Sequence, residues 1–202
     1  MNPYLYSTLT SLVAISAASM SLIFSFQRNK EIFSKMGVLL SAIACLTLLT
    51  EIVRSYVDMG ALSSTSVLLA FILCAMTVAA HLTLDLKLFG VLTMPLSMLL
   101  LLVDLFRTPA TTTGVMEPLL LFKNFHIMAA IFGQASVIAA FSISLMYLWQ
   151  YRNLKKKLIS QLSDRVPALD KLSRLLNVTL WVGLVFLTVA LISGAYLSLI
   201  HI

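Results

Sequence analysis

A chain of 202 residues is long enough for one or two soluble domains, but 60% of it is hydrophobic and only 11% charged, against about 25% charged in a soluble domain. With no charged skin to offer water, it cannot be a secreted disulfide scaffold, a polar-surfaced enzyme or a disordered tail, and it reads as an integral membrane protein. Its formal net charge of +6 takes its meaning from where the cations sit.

Crossing a bilayer as helix takes roughly 17–25 apolar residues. The first such run, 5–26, is closed by Gln27-Arg28-Asn29-Lys30-Glu31. No Lys or Arg precedes it, so it lacks the basic n-region of a cleaved signal peptide and is expected to be an uncleaved helix with its N-terminus outside. The second run, 36–53, leads into Glu51, Arg54 and Asp58 on one helical face. Glu51 and Arg54 are spaced to pair, which is expected here more than an ion path. The third run, 61–84, holds Cys74 and ends near His81, which is expected to snorkel beside Asp85 and Lys87. Cys45 and Cys74 form no C-x-x-C and read as small buried apolar residues. The fourth run, 89–106, contains Pro95, and an outer loop, 107–124, follows. The fifth run, 125–149, opens on His126, and the sixth covers 178–202. Between them, 151–177 is a basic inner loop. Within it, 164–176 carries Val166, Leu169, Leu172 and Leu176 at 3–4 spacing and is expected to be an interfacial amphipathic helix. The runs are continuous rather than alternating, which excludes barrel strands. Helices satisfy their own backbone in lipid. The expected fold is therefore all-α, a polytopic bundle of about six transmembrane helices forming one membrane domain over 1–202.

With the N-terminus outside, eleven of the fourteen Lys and Arg fall on the inner side, and Arg54, Arg107 and Lys123 remain outside. The positive-inside rule supports that orientation. It directs the basic loops to anionic lipid headgroups, not nucleic acid.

His126 heads a face of small residues, Ala129, Gly133, Ser136, Ala140 and Ser144. Small residues at this spacing admit a second helix or a flat ligand. Two readings stay open: an interfacial histidine capping a tight helix pair, or an axial ligand to heme iron. His201 falls on the same outer side and could supply a second imidazole, or fray as a near-terminal residue. Lys123 and Arg107 are the cations placed to meet a heme propionate. No glycine-rich phosphate loop, zinc spacing or Ser-His-Asp set is present, so no catalytic residues are assigned.

The last hundred residues carry a resemblance. His126 opens a small-residue helix that ends in Tyr147-Leu148-Trp149 and Lys155-Lys156-Lys157; Pro167-Ala168-Leu169 and Leu172-Ser173-Arg174-Leu175-Leu176 then lead into a helix closing on Ser193-Gly194. This order, with Val91-Leu92-Thr93-Met94-Pro95-Leu96 upstream, resembles the cytochrome c assembly protein family, in particular its HemX-like or YpjD-like branch. The resemblance implies heme handling at the outer face of a bacterial cytoplasmic membrane, with His126 at the position of an axial ligand. Apocytochrome c or other assembly subunits would be partners, and the role would be non-enzymatic. In heme-presenting members a tryptophan-rich outer segment and a further histidine would follow the sixth helix, so the chain reads as truncated relative to them. Three alternatives are carried: a membrane subunit or regulator of tetrapyrrole metabolism, a small transporter or channel subunit using Glu51, Arg54 and Asp58, and a structural partner docking through Gly133.

Overall fold

The computed structural model describes residues 3–28, 31–59, 64–84, 86–106, 120–155 and 168–200. They form six helices: α1 (Pro3–Arg28), α2 (Glu31–Met59), α3 (Thr65–Leu84), α4 (Lys87–Leu105), α5 (Leu120–Lys155) and α6 (Leu169–Ile200). All six are long and apolar enough to span a membrane, and no strand occurs among the described residues. The all-α polytopic bundle expected from the apolar runs is what the chain forms.

The helices overrun the apolar segments that announce them. At 1.5 Å per residue, the 36 residues of α5 reach about 54 Å, well past a hydrocarbon core of about 30 Å. Residues 120–124, expected in the outer loop, and 151–155, expected in the inner loop, are therefore the two ends of α5. Hydropathy marks only the part of a helix that lipid covers, whereas backbone hydrogen bonding continues into the headgroups. Residues 169–176 are likewise the opening turns of α6, continuous with its membrane stretch. Leu172 is buried there, and Arg174 pairs with Asp170 across one exposed turn at 3.2 Å. Residues 164–167 of the expected amphipathic helix lie outside the described residues. Helix α4 runs through Pro95, whose missing N–H forgoes one backbone bond.

The first four helices make one packed unit. Helix α1 lies against α2 and α4, and α3 against α2 and α4. Ile15, Leu22, Ala44, Leu48, Val67, Ala70, Cys74, Met94 and Leu101 form their common core. Hydroxyls inside it bond back to their own helices, as Thr77 does to the Leu73 carbonyl at 2.8 Å and Thr93 to the Phe89 carbonyl at 3.0 Å. They also bond across helices, as in Ser11 to Thr47 at 3.1 Å and Thr77 with Thr93 at 2.7 Å. Such bonds pair these hydroxyls in a medium without water. Both cysteines are free and belong to this unit, Cys74 within the core and Cys45 packed against it.

Helix α5 leans on α3 and α4, and α6 packs almost wholly on α5. Only 11% of the apolar stretch of α6 is buried, against 50% for α3. Val178, Trp181, Leu184, Leu191 and Leu199 all face outward, as lipid-facing residues do. One end of the molecule is marked by a cluster joining Ala80, Leu86, Phe89, Ile143, Met146 and Leu172, with Phe26 and Trp149 packed against it. It gathers the ends of α1, α3 and α5 and the starts of α4 and α6, so neighbouring helices alternate in direction. His81 lies at this end and His126 at the other.

Candidate functional site

The close pairing of α5 with α6 follows from the small-residue face headed by His126. At Gly133 an added Cβ would sit 2.7 Å from Leu187 Cδ2 and 3.1 Å from the Leu187 backbone nitrogen. At Gly183 it would lie 3.2 Å from Ser136 Cβ and 3.7 Å from the Gly133 carbonyl oxygen. Without side chains at these two positions the backbones approach closely, and dispersion contacts, the main attraction between helices in lipid, are maximised. Along Gly133 and Ser136 this face is filled by α6. Of the two occupants that the sequence admitted, a helix and a flat ligand, it is a helix that lies there. A ligand of His126 would have to meet it from the edge of the hairpin.

His126 is two helical turns from Gly133. Its imidazole is half-buried, with Nδ1 3.0 Å from Ser193 Oγ on α6. The ring lies over Gly194, where a Cβ would come within 2.8 Å of His126 Cε1 and 3.5 Å of Nε2. Gly194 thus makes the room that the ring occupies. Among the described residues no hydrogen bond reaches Nε2, and Nε2 is not one of the sealed-off buried polar atoms. One turn nearer the helix end, Phe122 and Tyr196 meet edge to face at 5.4 Å. Lys123 is exposed on the adjacent turn. Arg107 and His201 lie outside the described residues.

Ser193 was not singled out as a partner from the sequence, which marked Ser193-Gly194 only as part of a motif. The signal was nevertheless present. In an antiparallel hairpin the numbers of facing residues add to a near-constant value. Pairing Gly133 with Leu187 on their small-residue seam brings His126 opposite Ser193.

The other described histidine is separate. His81 is half-buried at the opposite end, with Nε2 3.3 Å from Ser34 Oγ on α2, and Asp85 lies outside the described residues. No group of three or more His, Cys, Asp and Glu side chains is gathered anywhere among the described residues.

At the His126 end, the expected Glu51–Arg54 pair does not form. Arg54 is exposed, whereas Glu51 is 5% exposed and its Oε2 has no hydrogen-bond partner. The inward stripe of α2 runs Ser41, Ala44, Leu48, Glu51, Ser55. Arg54 falls beside that stripe, and its long stem carries its charge outward. Spacing predicts adjacency on a helix but not which neighbour faces the core. On α4, Asp104 Oδ1 is likewise buried without a partner among the described residues. Both carboxyls lie one turn beyond Leu48 and Leu101, which share the core. Asp58 has no described side chain. Glu51→Gln replaces a buried, unpartnered carboxyl by a neutral amide of the same shape, so its thermal unfolding midpoint in detergent should hold or rise, by at most the equivalent of about 1 kcal/mol. A lowered midpoint would mean that the carboxylate holds something that a neutral amide cannot.

The family model described as "Cytochrome C assembly protein" matches residues 59–197. This range spans α3 to α6 and includes both His126 and Ser193. No curated protein and no solved structure matches the chain.

Proposed function

Since the chain belongs to the cytochrome c assembly protein family, and so has its role in cytochrome c biogenesis as a multi-pass membrane protein, we propose that it handles heme. In this reading it offers His126 as an axial ligand at the outer face of a bacterial cytoplasmic membrane and passes heme on without transforming it. The observation that carries this reading is the state of the imidazole. It is anchored through Nδ1 at one end of the bundle, while among the described residues Nε2 has no hydrogen-bond partner. That is the pattern of a ligating histidine, whose second nitrogen is tied to a supporting group.

The neighbouring residues fit a heme. The group is broad and largely apolar with an anionic edge, and iron takes imidazole nitrogen readily. His126 would hold the iron. Exposed Phe125 and the Phe122–Tyr196 pair offer apolar surface. Lys123, exposed one turn from His126, supplies a cation for a propionate. Bound heme would supply the iron centre that a client apocytochrome receives. The chain's own part is to bind it, orient it and keep it at the membrane surface.

Orientation follows from charge. In a six-span topology, eleven of the fourteen Lys and Arg of the sequence fall in or beside the connections on the His81 side, which supports an outward His126 under the positive-inside rule. In a Cys45→Ser, Cys74→Ser background, Lys123→Cys should react with a membrane-impermeant maleimide in intact cells, and Arg152→Cys only after lysis. The reverse pattern would overturn the outward placement. The heme reading itself is tested by titrating hemin into the detergent-solubilised protein. A Soret band typical of histidine-ligated iron, saturating at one heme per chain, is expected. A spectrum identical to that of hemin in empty micelles would overturn it.

A further inference from the structure

We infer that Ser193 is a positioning residue that sets the tautomer of His126, holding the proton on Nδ1 and leaving the lone pair on Nε2. This rests on the reading of His126 as an iron ligand and adds to it the residue that prepares the ligand.

The argument is one of proton accounting. A serine hydroxyl has one proton to donate and two lone pairs with which to accept. Ser193 Oγ lies 2.8 Å from the Val189 carbonyl oxygen and 3.0 Å from that of Ala190. Neither carbonyl can donate, so the hydroxyl proton goes to them. What remains on Oγ is acceptor capacity, and His126 Nδ1, 3.0 Å away, must then be the donor. The opposite assignment turns the hydroxyl proton toward Nδ1 and gives up the bond to α6's own backbone. It also puts the imidazole proton on Nε2, where no acceptor stands among the described residues. In surroundings as apolar as this hairpin, each bond forgone is costly. The Nδ1–H arrangement satisfies the hydroxyl, the α6 carbonyls and Nδ1, and leaves open only the Nε2 lone pair. Ser193 is itself 5% exposed, so water does not readily replace it as the acceptor.

The consequence concerns the free nitrogen. A metal takes the lone pair of a neutral imidazole nitrogen, and the hydrogen bond made by the other nitrogen decides which one is available. Ser193 makes Nε2 the available one, since among the described residues no hydrogen bond engages it. Gly194 completes the arrangement by letting the ring lie against α6 within reach of the hydroxyl.

The test uses full-length protein labelled with 15N-histidine in detergent, at about pH 8, above the usual imidazole range near 6.5. His126→Gln identifies the His126 signals by their loss. The wild type should show Nδ1 as the protonated nitrogen and Nε2 as the bare one. In Ser193→Ala the acceptor is gone, and the population should move to the Nε2–H form that free histidine side chains prefer. Ser193→Thr, which keeps the hydroxyl, should retain the wild-type pattern. A wild-type spectrum with the proton on Nε2, or a Ser193→Ala spectrum unchanged from wild type, would overturn the assignment. Hemin affinity should also fall in Ser193→Ala, on the order of 10–100-fold, and recover in Ser193→Thr. If the tautomer shifts yet Ser193→Ala binds hemin as tightly as wild type while His126→Ala does not, the positioning role is overturned. If His126→Ala itself binds hemin normally, the ligand reading of His126 fails, and the nitrogen spectra still decide the tautomer.

Discussion

His126→Ala is expected to remove the histidine-type Soret band and to weaken hemin binding by more than about tenfold, the effect of losing a little over 1.4 kcal/mol of interaction. The substitution should leave the fold nearly untouched. The imidazole is only half-buried, and Ser193 keeps its backbone acceptors at Val189 and Ala190 when the ring is gone. A purely structural histidine would give the opposite result, a lowered unfolding midpoint with hemin binding unchanged. Absorbance titration and a thermal scan of the same sample separate the two, and an unaltered spectrum would remove His126 from the site.

Gly133→Leu should be the most damaging single change in the last two helices. Leu187 Cδ2 and Cγ, which a Cβ would meet at 2.7 and 2.8 Å, can swing aside, but the Leu187 backbone nitrogen at 3.1 Å cannot. Helix α6 would have to move bodily, and α5 is the one neighbour against which it packs extensively. Overpacking typically costs about 1–3 kcal/mol, and with the whole hairpin seam displaced the upper part of that range is expected. The loss should appear as a lower unfolding midpoint in detergent and as weakened hemin binding, because the seam also sets the distance from His126 to Ser193. Gly133→Ala should show the same changes in smaller measure. A stable Gly133→Leu protein with normal hemin binding would show that the two helices do not meet there.

The number, order and alternation of the helices were legible in the sequence because hydrocarbon thickness imposes a length on every apolar run. Their ends were not: Leu120 to Asn124 and Tyr151 to Lys155 are helical although the runs do not include them, since headgroups tolerate polar side chains on a continuing helix. The candidate site was half legible. His126 and its small-residue face were visible as a periodicity, whereas Ser193 lies 67 positions away and enters only through the register of the hairpin. Glu51 shows the converse. Local spacing suggested Arg54, but Glu51 falls on the buried stripe of α2 with Leu48 and Ser55 while Arg54 stays exposed, and which stripe faces the core depends on the other helices.

That separation of 67 positions also has a meaning in time. At synthesis rates of about 5–20 residues per second, the ribosome makes the hydroxyl partner roughly 3–13 s after the imidazole. Throughout that interval the first four helices can already be settled in the bilayer, while the imidazole has nothing to fix its proton. A porphyrin arriving early would meet an uncommitted ligand. If His126 is a heme ligand, the nascent chain reaches its full affinity once α6 has been released by the insertion machinery and has closed on α5, so tight loading is favoured after assembly.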